Sequence, residues 1–106
     1  MRAREPGTRV FAAHSMVEGC ARLFGFGTYV GDEVPPPGIR LMGVDLHDCR
    51  MPNPKIVLDD GRVVWGCECW WGPEGALPKG ATVEPVDIRA ERVKAYGYDP
   101  MEGPSA

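Results

Sequence analysis

The side chains best suited to chemistry in this chain sit in two short motifs, His47-x-Cys49 and Cys67-x-Cys69. With Cys20 or His14 as substitutes, they offer the soft and borderline donors of a tetrahedral zinc site. The spacing fits that role poorly. Structural zinc sites usually draw on cysteine pairs with two to four residues between them, whereas side chains at i and i+2 of a strand point the same way and diverge little around one ion. A small thiol-dependent enzyme is the other chemistry on offer. It requires a base and an electropositive, accessible thiol, and neither histidine stands in a motif linking it to Cys67 or Cys69. The expectation is therefore that the cysteines are packing residues, with no bound metal, no cofactor and no catalysis.

Other constellations reduce to local structure in the same way. Asp59 and Asp60 mimic a catalytic carboxylate pair, but their place beside Gly61 is explained by turn chemistry. Gly25-Phe26-Gly27 suggests a dinucleotide loop until the third glycine falls at Gly31 and no helix pattern follows, which leaves glycine used for strand curvature. More promising is the concentration of rings. Trp65, Trp70, Trp71, Phe26 and Tyr29 supply flat area for stacking, with Arg22, Arg40 and Arg62 available for a phosphate or carboxylate. Glu68 and Trp70 are the expected partner-binding residues, followed by Trp71 and Tyr29.

These residues must be positioned by a hairpin. In Asn53–Gly72, NPKIVLDDGRVVWGCECWWG, β-branched and aromatic residues flank Asp59-Asp60-Gly61. A two-residue turn at Asp60-Gly61 would set Leu58 opposite Val63 and Ile56 opposite Trp65. A three-residue loop with left-handed Gly61 would slip the pairing by one. Alternation along the second strand puts Val63, Trp65, Cys67, Cys69 and Trp71 on the core face and Val64, Gly66, Glu68 and Trp70 on the other whatever the register, with Lys55 and Glu68 as a cross-strand ion pair.

Elsewhere, Arg9–Met16 and Cys20–Gly31 read as a second hairpin around Val17-Glu18-Gly19. Pro35-Pro36-Pro37 ends the sheet segment, and Gly38–Met51 is either a short helix or a structured loop. Thr82–Ile88 suggests an edge strand, because of Pro85, and Ala90–Ala95 one helical turn packing Val93. The fold expected is all-β or β-rich: a small curved antiparallel sheet or barrel built from two hairpins and an edge strand, with one or two short helices at most. Residues 9–95 form its single domain, with flexible segments at 1–8 and 96–106.

A chain of 106 residues buries about two-thirds of the surface its unfolded form exposes. A formal charge of −3 argues against nonspecific nucleic-acid binding, which needs a basic patch. No stretch approaches the roughly 20 apolar residues needed to span a bilayer, and no signal peptide is evident, so a cytoplasmic location with reduced thiols is expected.

The string from Asn53-Pro54-Lys55-Ile56 through Asp60-Gly61 to Trp65-Gly66-Cys67-Glu68-Cys69-Trp70-Trp71-Gly72 resembles a set of small, functionally uncharacterised proteins encoded by bacteria and their phages. Phe24-Gly25-Phe26-Gly27-Thr28-Tyr29-Val30-Gly31-Asp32 resembles them too. No activity comes with that resemblance. It implies a phage or prophage accessory, acting as a noncatalytic binding module toward a host protein or a small nucleotide-like signal. The exposed ring or edge strand also suits a homo-oligomer.

Overall fold

Strand β1 (Thr8–Val17) turns at Glu18-Gly19 into β2 (Cys20–Glu33), as the first hairpin pattern predicts. The structure, a computed structural model, describes residues 5–102, so 1–4 and 103–106 of the expected flexible ends lie outside the described residues. β2 is the longest strand, and two partners share its far edge. β8 (Thr82–Pro85) runs parallel along Cys20–Leu23, and β5 (Asn53–Leu58) runs antiparallel along Gly27–Glu33. The register shifts between Ala12, Ala13 and Ser15 bend the pair where one partner gives way to the other. Gly27 permits the join with β5, since a Cβ there would collide with the Val57 carbonyl oxygen and lie 2.8 Å from Leu58 Cα.

β5 continues through Asp59-Asp60-Gly61 into β6 (Val63–Trp65), with Val57 opposite Val63 and Lys55 opposite Trp65. This is the three-residue loop. The Leu58 amide donates to the Arg62 carbonyl at 2.7 Å, the Gly61 amide donates to the Leu58 carbonyl at 2.8 Å, and Gly61 takes the left-handed φ of 91° the loop demands.

The second strand of this hairpin does not run on to Trp71, which corrects the expected alternation. After Trp65 the chain makes a 3₁₀ turn over Gly66–Glu68 before β7 (Trp70–Pro73) joins the opposite side of the sheet, against β1. Local chemistry accounts for the break. The opposing residue is Pro54, which has no amide to extend the ladder, and its ring lies so close to Gly66 that a Cβ would sit 2.8 Å from it. Side chains replace the ladder: Glu68 accepts from the Trp65 amide at 3.0 Å, and Asn53 Oδ1 accepts from the Cys67 amide at 2.8 Å. The sheet order is therefore β6-β5-β2-β1-β7, with β8 also on β2; it is curved but does not close into a barrel.

Gly38–Met51 adopts the structured-loop alternative: β3 (Arg40–Leu41) and β4 (Val44–Asp45) form a miniature hairpin, followed by turns. The Asp45 carboxylate accepts from the amides of Gly38, His47 and Asp48, and these bonds, that from Gly38 first, hold it below the usual carboxylate range. Ile39 and Leu46 from this segment bury against Trp65.

Alternation along β1 separates two further apolar clusters. Val10 and Ala12 join Phe24, Tyr29, Ile56, Leu58, Val64 and Ile88 in the main core, while Ala13 joins Ala21 and Leu23 on the other face, with Phe11 and Phe26 against them. Helix α1 (Ile88–Tyr96) starts at Asp87, whose side chain accepts from the Arg89 amide at 3.0 Å. It is longer than expected and turned differently: Ile88 and Arg92 are buried and Val93 is exposed. Part of the segment after Ala95 makes tertiary contacts. Tyr96 and Met101 pack on the Trp65 cluster, and Asp99 pairs with Arg92, because an apolar anchor and a buried charge both need partners from this segment. Among the described residues no helix is long and apolar enough to cross a membrane.

Candidate functional site

Glu68, expected at the surface, is instead the acceptor at the centre of a buried network. Its side chain is 6% exposed and that of Arg92 is 4%. Arg92 Nε donates to Glu68 Oε2 at 2.9 Å and Nη2 to Oε1 at 2.7 Å, and the Tyr96 hydroxyl donates to Oε2 at 3.1 Å. Arg92 also reaches the Val63 carbonyl at 2.6 Å and Asp99 at 3.4 Å. Burial, with Glu68 beside it, pushes the Tyr96 hydroxyl well above the ordinary tyrosine range. Lys55 pairs with Glu33 at 3.3 Å rather than with Glu68. A carboxylate so fully engaged holds the turn, the helix and the C-terminal segment together and has no contact left for a partner.

Tyr29 and Trp71 also turn inward. Their rings stack with centroids 5.2 Å apart and an interplanar angle of 28°, and the Tyr29 hydroxyl donates to Asp32 at 2.5 Å. Tyr29 is buried, and Trp71 is partly buried against the main core. Trp70 alone of the four expected site residues projects into solvent, at 71% exposure. Paired with Ala13, it lies on the face away from the main core, beside a groove of about 510 Å³ lined by Phe11, Ser15, Met16, Trp70 and Trp71. β7 covers β1 only from Val10 to Ala13, so among the described residues no strand pairs with the outer edge of His14–Val17. That edge carries no proline, lysine or acidic residue to discourage a further strand.

A second concavity, of about 320 Å³, lies between α1 and the sheet, where His14, Phe24, Arg40, Cys67, Ile88 and Tyr96 contribute to its wall. The His14 ring meets Phe24 edge-on at 5.8 Å, and Nε2 lies 2.9 Å from Glu91.

The four candidate zinc ligands do not converge, and no three His, Cys, Asp or Glu side chains among the described residues are grouped to hold a metal. His47 Nδ1 lies 3.1 Å from the Pro35 carbonyl, while the Cys49 and Cys69 thiols donate to the carbonyls of Leu46 and Trp65. Burial, reinforced by Glu68, pushes the Cys67 thiol up to about 11 and Cys69 higher still. Both are uncharged at neutral pH, the wrong form for a nucleophile. Iodoacetamide at pH 7.5 should accordingly label exposed Cys49 first and Cys67 and Cys69 last, with all four labelled in denaturant; peptide mapping that finds Cys67 as fast as Cys49 would refute this assignment. The aspartates of the hairpin loop are spoken for as well: Asp59 takes a two-pronged pair from Arg9 at 2.7 and 2.9 Å, and Asp60 binds the Arg62 amide and guanidinium, each at 2.9 Å.

Arg92 was not among the residues singled out from the sequence. Its signal was the stripe Ile88, Arg92, Tyr96, in which a charge interrupts an apolar row at i+4 spacing. No family model, no curated protein and no solved structure matches this chain.

Proposed function

We propose that this protein is a noncatalytic binding module that recognises a protein partner by adding an extended segment of it to the open edge of β1, with an apolar side chain of the partner packed on Trp70. One observation carries this reading: a tryptophan 71% exposed stands where β7 stops and the β1 edge is left unpaired. A strand edge supplies backbone hydrogen bonds for affinity, and the adjoining groove supplies side-chain selection. Exposed tryptophan is the residue type most often found at the energetic centre of an interface.

A nucleotide-like ligand is less well supported. The two rings best suited to sandwich a base, Tyr29 and Trp71, stack on each other, and Arg22 and Arg62 are engaged with Glu84, Asp60 and Asp87. A phage-type accessory directed at a host protein is the context we propose, on the likeness of the hairpin string. Four free cysteines suit the reducing cytoplasm.

The test is selection of a random-peptide display library on the immobilised protein. Selected peptides should bind in solution, lose affinity when N-methylated at alternate amides, and bind Trp70→Ala roughly 30-fold or more weakly, as expected for a hot-spot residue. Peptides that bind Trp70→Ala as tightly as wild type would sink the proposed site.

A further inference from the structure

We infer that the concavity beneath α1 is a second, separate site, built for a small organic monocarboxylate whose carboxylate is taken by Arg40 and whose apolar body lies against Phe24, Ile88 and Ala95. The inference does not rest on the partner groove beside Trp70, which shares no lining residue with this cavity. The volume, about 320 Å³, falls at the lower end of the ~300–1,000 Å³ typical of small-molecule sites. The wall combines an apolar part, Phe24, Ile88 and Ala95, with polar groups that converge from separate elements, among them His14 from β1, Arg40 from β3, Glu68 from the 3₁₀ turn and Glu91 from α1.

The charges in the wall identify the ligand class. Glu68 is neutralised by Arg92, and Glu91 lies 2.9 Å from His14 and 3.3 Å from Lys94. Arg40 differs from these. Its cross-strand neighbour is Asp45, the residue placed to neutralise it, but that carboxylate is held instead by three backbone amides, of Gly38, His47 and Asp48. Arg40 thus has no side-chain partner among the described residues, and it lines the cavity. A guanidinium fork matches a planar carboxylate with two parallel hydrogen bonds. One fork, with Glu68 and Glu91 in the same wall, suits a single negative charge and disfavours a dianion such as phosphate. The apolar side chains lining the same cavity supply contact area for an aliphatic or aromatic body.

The experiment is an amide chemical-shift titration of the ¹⁵N-labelled protein with benzoate and hexanoate, with benzamide and inorganic phosphate as controls. At least one carboxylate should give saturable shifts clustered at Arg40, Ala95 and Tyr96, with benzamide and phosphate giving none there. Arg40→Gln, at an exposed position whose spectrum confirms the fold, should weaken binding by about tenfold or more, the effect of losing one charged hydrogen-bonded pair. Met16→Ala, in the groove beside Trp70 and outside this cavity, should leave the titration unchanged, so that failure here and failure of the peptide-binding reading are distinguished. No saturable shift with either carboxylate, equal response to benzamide or phosphate, or unaltered binding by Arg40→Gln would each overturn the inference.

Discussion

Arg92→Ala should cost about 3–5 kcal/mol of folding stability, the loss expected when one partner of a buried ion pair is removed and the other stays behind. Arg92 serves four acceptor atoms on three residues at once: both oxygens of Glu68 at 2.7 and 2.9 Å, the Val63 carbonyl at 2.6 Å and Asp99 at 3.4 Å. Without it the Glu68 carboxylate keeps only the Trp65 amide and the Tyr96 hydroxyl, and two buried acids are left in one place with no cation. A small domain has only about 5–15 kcal/mol of net stability, so the variant will lie near its unfolding threshold. Arg92→Lys keeps the charge but lacks the fork and should fall between the two. Replacing both charges, as Glu68→Leu with Arg92→Met, should recover much of the loss, because apolar substitutes for a buried pair are often neutral or better. Urea denaturation of the four proteins checks the order; a loss for Arg92→Ala below about 1 kcal/mol would mean that water reaches the site and that the network does not hold the turn.

Trp65→Ala should cost a similar amount, about 3–5 kcal/mol, whereas Trp70→Ala, five positions later, should stay within about 0.5 kcal/mol of wild type. Trp65 is 2% exposed and anchors Ile39 and Leu46 from one side and Met101 from the other, its indole nitrogen donating to the Met101 sulfur at 3.3 Å. Its removal leaves a cavity under the β3–β4 hairpin and frees the C-terminal segment together with it. Hydrogen exchange should therefore accelerate at Leu46 and Met101, whose amides donate within these turns, before the β1–β2 ladder opens. Equal destabilisation by the two substitutions would place Trp70 inside the fold and remove the basis for the binding surface.

The contrast between these tryptophans marks the boundary between what local pattern encodes and what it does not. The first hairpin, the position of the Asp59-Asp60-Gly61 turn but not its length, and the exit at the prolines were legible, because each depends on residues a few positions apart: alternation, a glycine beside two aspartates, a missing amide. The exposure of Trp70 was not, since alternation grouped it with Val64, which is wholly buried. The face of Glu68 was not legible. Alternation beyond Trp65 assumes a continuous strand, and what ends that strand is Pro54 across the hairpin together with the amide-accepting side chains of Asn53 and Glu68.

The sequence by itself determined a β-rich domain with two hairpins and a chain exit at Pro35-Pro36-Pro37. Only the tertiary structure decided that Arg92 would draw Glu68 inward, that Tyr29 and Trp71 would spend their faces on each other, and that Asp45 would turn from Arg40 toward three amides. The physical reason is common to all three. A polar or aromatic side chain takes whichever partner folding brings within a few ångströms, and in this chain those choices join residues 24 and 42 positions apart in two of the cases, a separation at which no local period carries information.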